Sequence, residues 1–425
     1  MLRHTLASAN LANPIALGCF GALVMVLPAC GAAGVEDTGY IVEDSAGVRI
    51  VTSTISVRDP ALPVWTVADA PSWSIGSTDG PEAQQFTRVL NAWVSDGGNV
   101  LVVEATTSTV RSFDPGGELV LEFGGQGGGP GEFRALGNAI PYRGDSIVAW
   151  DASRQILSVF DERGRLSRSS SVALSGLSEV ARGQGPLSNG RGGRLIGAFT
   201  DGSLLFVQPD LVRFQYEGLW RWNNRFTRYS ADGERLNDVA EYFGSERTAP
   251  AAGTVLSLTA FPHEPQVNVG ENTAYIAPTP ELELRAHRFD VPQALLVIGR
   301  LDQGRRSIDG AARAAFEASV RDDPVYRSLS ASAVNRALAS ASYPAHLPAF
   351  DRILVDDNGY VWARRFSLVG DDTTEWLVFS DDLRLRQVIS MPPVDVTHIG
   401  EDFVLAVRVD DLGVPYVEMY SLRRG

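Results

Sequence analysis

Through most of this chain apolar and polar residues alternate over short runs, and Gly and Asp stand at the breaks between them. A period of two with such breaks predicts a meander of short antiparallel strands. The breaks have their own mechanism. Asp-x-x-Gly supplies a side-chain acceptor and a residue tolerant of positive φ, which together permit a tight reversal.

The alternation is itself repeated. Val100-Leu101-Val102, Val110, Phe113, Asp114, Gly117 and Leu119 recur as Ile147-Val148-Ala149, Leu157, Phe160, Asp161, Gly164 and Leu166, each pair 47 residues apart. Phe86 and Phe133 keep that interval, as do Glu104 and Asp151. Looser copies follow from Asp201-Gly202 to Leu236, from Ala274-Tyr275-Ile276 to Val297, from Ile353 to Leu383, and from Phe403 to Tyr420. Six units of this kind, each with room for four strands, describe a ring of blades. The expectation is an all-β, six-bladed propeller over residues 46–425, with Val64–Ile75 as outer strands of the last blade or as a seventh blade. Val48–Thr52 reads as a strand, and it is expected to join the C-terminal blade and zip the ring shut.

One stretch breaks the alternation. Ser307 to Ser342 is rich in Ala and Arg, and Ala312, Phe316 and Val320, then Val334 and Leu338, recur with helical spacing. Ser307 and Asp309 are candidate caps. A helical hairpin inserted at about 307–342 is expected, packed on a blade edge or lying over the channel mouth.

The N-terminus has a different texture. Arg3 and His4 precede an uncharged stretch, Ile15 to Ala29, which ends Leu27-Pro28-Ala29-Cys30. A positive start, a short apolar run and small residues at the exit describe an export signal over 1–29. The last four residues resemble a bacterial lipobox, which implies lipidation of Cys30 and a membrane contact made through that lipid alone. Residues 30–45 read as a small, acidic tether. Ordinary secretion with cleavage near Ala32 or Ala33 and an uncleaved anchor are the other readings. Cys19 falls within the signal, so the exported body carries no thiol beyond Cys30.

Composition narrows the chemistry. Every basic residue is Arg, which excludes Schiff-base catalysis and the P-loop lysine. A net charge of −14 argues against nucleic-acid binding. Gly124–Gly131 lacks the Lys and Ser/Thr of a phosphate loop and reads as a linker between blades. His263, His287, His346 and His398 show no metal-pair spacing. Glu104 and Asp151 match across the repeat, and equivalent positions in a ring converge near one rim, where two carboxylates can bind Ca²⁺ or act as acid and base. Phe214, Tyr216, Trp220, Arg221 and Trp222 form the densest aromatic–Arg patch, the chemistry of a binding face.

The Asp-Gly turns, the Phe-Asp-x-x-Gly-x-Leu hairpins and the linker ending Gly129-Pro130-Gly131-Glu132-Phe133 make the chain similar to bacterial six-bladed propellers of the NHL and TolB-like type. Asp44–Ile50 and Val404–Tyr420 resemble the two ends of exported lipoprotein propellers. The resemblance implies the fold and is nearly silent on activity, because propellers host binding scaffolds, lactonases and lyases alike. The expected function is a non-enzymatic, envelope-anchored, monomeric scaffold for a protein, peptide or glycan, with no required cofactor; its alternative is a lactonase-like hydrolase or lyase working in the channel with Ca²⁺.

Overall fold

The computed structural model describes residues 34–36, 39–45, 47–55, 64–174, 193–209, 218–249, 258–279, 281–289, 296–301 and 305–425. Six antiparallel sheets follow one another along the chain and close into a six-bladed β-propeller. Blade one runs through Val89–Val94, Val100–Glu104, Thr109–Phe113 and Leu119–Gly124. Blade two repeats this as Leu136–Pro141, Ile147–Asp151, Ile156–Phe160 and Leu166–Ser171. Blade three comprises Arg194–Ala198, Leu204–Pro209, Gly218–Tyr229 and Arg235–Ala249, and blade four Gln266–Val269, Thr273–Ala277, Glu283–Arg288 and Leu296–Leu301. Phe350–Val355, Val361–Arg365, Thr374–Phe379 and Leu385–Met391 make blade five. Blade six supplies only three strands of its own, Asp395–Ile399, Phe403–Val409 and Pro415–Arg423.

The missing outer strand of blade six comes from the other end of the chain. Trp73–Ile75 pairs antiparallel with Val417–Met419, and Thr66–Val67 pairs with Leu422 and Arg423. These are the outer strands expected for Val64–Ile75, and no seventh blade forms. The expectation for Val48–Thr52 does not hold. Val48–Ser53 lies parallel to Leu296–Leu301 on the outside of blade four, with Tyr40–Ser45 and Gly34–Glu36 added beyond it. The stretch read as a tether therefore contains two strands. Tyr40 explains the docking: it is buried, and its hydroxyl donates to the Leu385 carbonyl at 2.5 Å. Tyr40 and Val51 thereby fill the seam between blades four and five.

Stability resides in the seams. One apolar cluster lies between each adjacent pair of blades, and the one joining Ile75, Phe113, Leu405 and Val417 closes the circuit from blade six to blade one. Trp150, Trp362 and Trp376 are fully buried in such seams. Each contributes about 3 kcal/mol through the area it removes from water. Polar side chains stitch the inner strands together at a recurrent point, the residue just after a bulge. Asn91 donates to the Ala139 carbonyl, Asn138 to that of Leu195, and Arg352 to that of Val396. His398 continues the series, with Nδ1 accepting from the Val94 amide at 3.1 Å. Its Nε2 must then carry the proton, which it donates to Asp357 at 2.9 Å.

Candidate functional site

Strand order sets the two faces of the ring. Within each four-stranded blade the linker entering the inner strand and the hairpin between the second and third strands lie on the same side. That face carries a second tier. In blade three the register aligns Leu204–Pro209 with Asn224–Tyr229, so the third strand overhangs by residues 218–223 and its partner follows it out to Ala249. The other part of the tier is the segment 305–349 between blades four and five. It holds three helices rather than a two-helix hairpin: α1 (Gly310–Asp322), α2 (Pro324–Arg327) and α3 (Ala331–Ala339). Asp309, as expected, caps α1 by accepting from the Ala312 amide, while Asp323 and Ser330 cap the other two. Ser307 instead bridges to His346.

Apolar side chains pin this tier to the rim. Leu258 packs with Val320, Val334 and Leu338, and Phe261 packs with Ala312, Phe316, Leu347 and Phe366. The helical period legible in the sequence is the face turned onto residues 258–261. A buried charge network adds a second fastening. Glu246 pairs with Arg221 across the overhanging hairpin and faces His263 at 3.3 Å. The Nε2–H of His263 donates to the His346 carbonyl at 3.0 Å, so overhang, linker and helical insertion meet at one imidazole. Burial by itself would raise the pKa of Glu246. The hydrogen bond and charge of His263, with Arg221 on the other side, outweigh that and hold it at about 2.

Glu104 and Asp151 occupy matching positions in blades one and two and are both buried. Each carboxylate is occupied by backbone of its own blade. Glu104 accepts from the amides of Thr87, Arg88 and Thr107 and from the Thr107 hydroxyl. Asp151 accepts from the amides of Arg134, Ser153 and Arg154. They anchor the incoming linker to the hairpin above it, and their lone pairs are not directed to a common cation. Burial works to raise the pKa of Glu104, and the amide bonds overcome it, leaving the group ionised below its ordinary range. Groups of three or more metal-ligating side chains do not occur among the described residues.

Of the aromatic–Arg patch, Phe214 and Tyr216 lie outside the described residues, as does Cys30. Trp220, Arg221 and Trp222 fall on the overhang of blade three, where Trp220 is registered with Arg247 and Arg221 with Glu246. His287 is half-buried, bonded to the Tyr242 hydroxyl at 2.8 Å, and desolvation with the nearby Arg285 charge lowers its pKa to about 4. It is a neutral packing histidine between blades three and four.

Two features of the second-tier face had no signal in the sequence. Among the described residues ten large apolar side chains are exposed, and Phe243, Val325, Leu329, Val369, Val409 and Leu412 all belong to this face. Phe243, Val325 and Val369 are 64%, 69% and 78% exposed. A cavity of about 150 Å³ also opens where the helical insertion meets the blade-five hairpin, between Arg306, Arg365, Ser367, Asp371, Thr373 and Glu375. All but Arg306 come from the single hairpin 365–375, and only the fold brings Arg306 to it.

No protein-family model matches the chain, and no curated protein sequence matches it. Several solved structures are similar to it over most of its length. A Bacteroides fragilis NCTC 9343 protein assigned to the exported class covers 89% of this chain with 99% of its own, at 9% identity and a TM-score of 0.47. A member of the DUF4221 family from Bacteroides vulgatus covers 85% with 99% of its own, at 10% identity and 0.44. A gluconolactonase of Xanthomonas campestris covers 86% with 99% of its own, at 13% identity and 0.41. At such identities and scores these likenesses assign this chain no activity.

Proposed function

We propose that this chain is a non-enzymatic binding module, exported and held at the bacterial envelope by lipid on Cys30, which presents its second-tier face to a protein partner. The observation that carries this reading is that six of the ten large apolar side chains exposed among the described residues lie on this face, three of them on the overhang and the helical insertion. Isolated exposed apolar residues are ordinary, whereas their concentration on one built-up face marks an interaction surface. The rigidity of the tier, fastened by the Phe261 and Leu338 clusters and by the Glu246 network, favours a preformed surface. The export signal and the lipobox-like Leu27–Cys30 support the location. A channel-site hydrolase or lyase is less well served. Its expected carboxylates, Glu104 and Asp151, are occupied by backbone amides, and His398 in the inner-strand ring is occupied by Val94 and Asp357.

Crosslinking in intact cells tests the reading. A partner recovered with the native protein should be lost from the combined Phe243→Ser, Val325→Ser and Val369→Ser variant. It should be retained when Leu119 and Leu236, exposed on the opposite side, are changed to Ser. A partner indifferent to both sets would defeat the assignment of the face.

A further inference from the structure

The cavity at the foot of the helical insertion has a chemistry independent of any macromolecular partner. Arg306 enters from the segment leading into α1, and Arg365 ends the second strand of blade five. Arg365 bonds Glu375 through Nη1 at 2.7 Å and so has a carboxylate of its own. Arg306 does not. Its Nη2 donates to the neutral carbonyl of Phe366, and no ion pair forms at Arg306 among the described residues. The residue is solvent-exposed. Desolvation and the neighbouring Arg365 charge lower its pKa, with Asp371, Glu375 and Asp351 opposing. Arg306 is thus a guanidinium with no ion-paired carboxylate of its own, set beside another guanidinium and able to take a charged acceptor.

The remaining lining defines what the anion must be. Asp371 accepts the Leu368 amide through Oδ2 at 2.8 Å, and its Oδ1 takes no hydrogen bond among the described residues. With Glu375 it sets a limit on added negative charge, because a dianion would face two carboxylates at once. Ser367 and Thr373 add hydroxyl groups, and Phe366 adds an apolar wall. The volume of about 150 Å³ corresponds to roughly five waters at about 30 Å³ each. That is room for an acid of the size of serine or lactate.

We propose that this cavity binds a small monocarboxylate that carries a hydrogen-bond donor beside its carboxyl group, of the amino-acid or hydroxy-acid class. Arg306, assisted by Arg365, takes the carboxylate, and Asp371 takes the donor. Guanidinium and carboxylate match as a planar, two-bond pair, which favours this anion over a spherical one. The site lies on the second-tier face and shares the insertion that builds it, so occupancy fixes the insertion against blade five.

Titration calorimetry with L-serine, L-lactate and inorganic phosphate, on the full-length protein, tests the proposal. Saturable millimolar or tighter binding of L-serine or L-lactate is expected, with phosphate weaker. Arg306→Gln keeps a donor for the Phe366 carbonyl and removes the charge; affinity should fall about tenfold or more, the scale of a charge-assisted bond. Thr373→Leu, an exposed position where folding is not at stake, should block the cavity and abolish binding. Asp371→Asn separates the two sources of donor, weakening L-serine selectively if the natural ligand has an ammonium group and both acids equally if it has a hydroxyl. No saturable binding of either acid overturns the proposal. So does tighter binding of phosphate, or affinity unchanged in both Arg306→Gln and Thr373→Leu.

Discussion

The buried network at Glu246 makes a quantitative demand on stability. Glu246 is 2% exposed and lies between Arg221 and His263, with its pKa held at about 2 against an ordinary 4.5. Since the folded state binds the proton less well than the unfolded chain, the ionised carboxylate stabilises the fold at every pH above about 4.5. That contribution is lost as pH falls toward about 2. Two and a half pKa units at about 1.4 kcal/mol each correspond to about 3 kcal/mol at neutral pH and about 1 kcal/mol at pH 3. The figure agrees with the cost of about 3–5 kcal/mol for removing one partner of a buried ion pair. Glu246→Gln conserves shape and removes the charge. For a propeller of roughly 380 residues, with an unfolding entropy of about 2.1 cal/mol/K per residue, the loss corresponds to about 4 °C in Tm. Calorimetric scans of both proteins from pH 7 to pH 3 measure it. The gap should be widest at pH 7 and shrink to about a third of that at pH 3. A gap that is absent at pH 7, or that is undiminished at pH 3, would refute the assignment of the stabilisation to the ionised Glu246.

Ring closure and His287 give two further expectations. A chain beginning at Val64 loses the strands added to blade four and with them Tyr40 and Val51, and should be less stable but monomeric by light scattering; a chain beginning at Ser77 also loses Trp73–Ile75, exposes the Val417–Met419 edge, and should aggregate. Equal behaviour of the two would show that the ring does not close through blade six. His287 stays neutral to about pH 4 whereas the unfolded chain takes up that proton near 6.5, so stability should decline as pH falls through this window. His287→Gln should flatten that decline by about 3 kcal/mol, and an identical pH profile in wild type and variant would contradict the neutral assignment.

The repeat and its strand breaks are local properties, and they were legible because a period of two with Asp and Gly at fixed offsets encodes a hairpin within a few residues. The six units and the helical faces of α1 and α3 followed from such patterns, while Val64–Ile75 was left between an outer strand and a seventh blade until its pairing with Pro415–Arg423 decided it. The 47-residue match also placed Glu104 and Asp151 at equivalent points. It could not show that their lone pairs are taken by amides of Arg88 and Arg134, because those bonds depend on how the linkers fold back.

Pairing across the chain was a different matter. Val48–Ser53 reads as a strand wherever it goes, and its period leaves open whether Pro415–Arg423 or Leu296–Leu301 receives it. The choice lay with Tyr40, whose ring and hydroxyl fit the seam beside Leu385. Likewise the sequence determined a ring of blades with a helical insertion. Only the tertiary structure brought Arg221, Glu246 and His263 into one network, and Arg306, Arg365 and Asp371 around one cavity. The physical reason is that His263 reaches Glu246, and Arg306 reaches the 365–375 hairpin, only through how the chain packs, and nothing in the spacing of residues records such approaches.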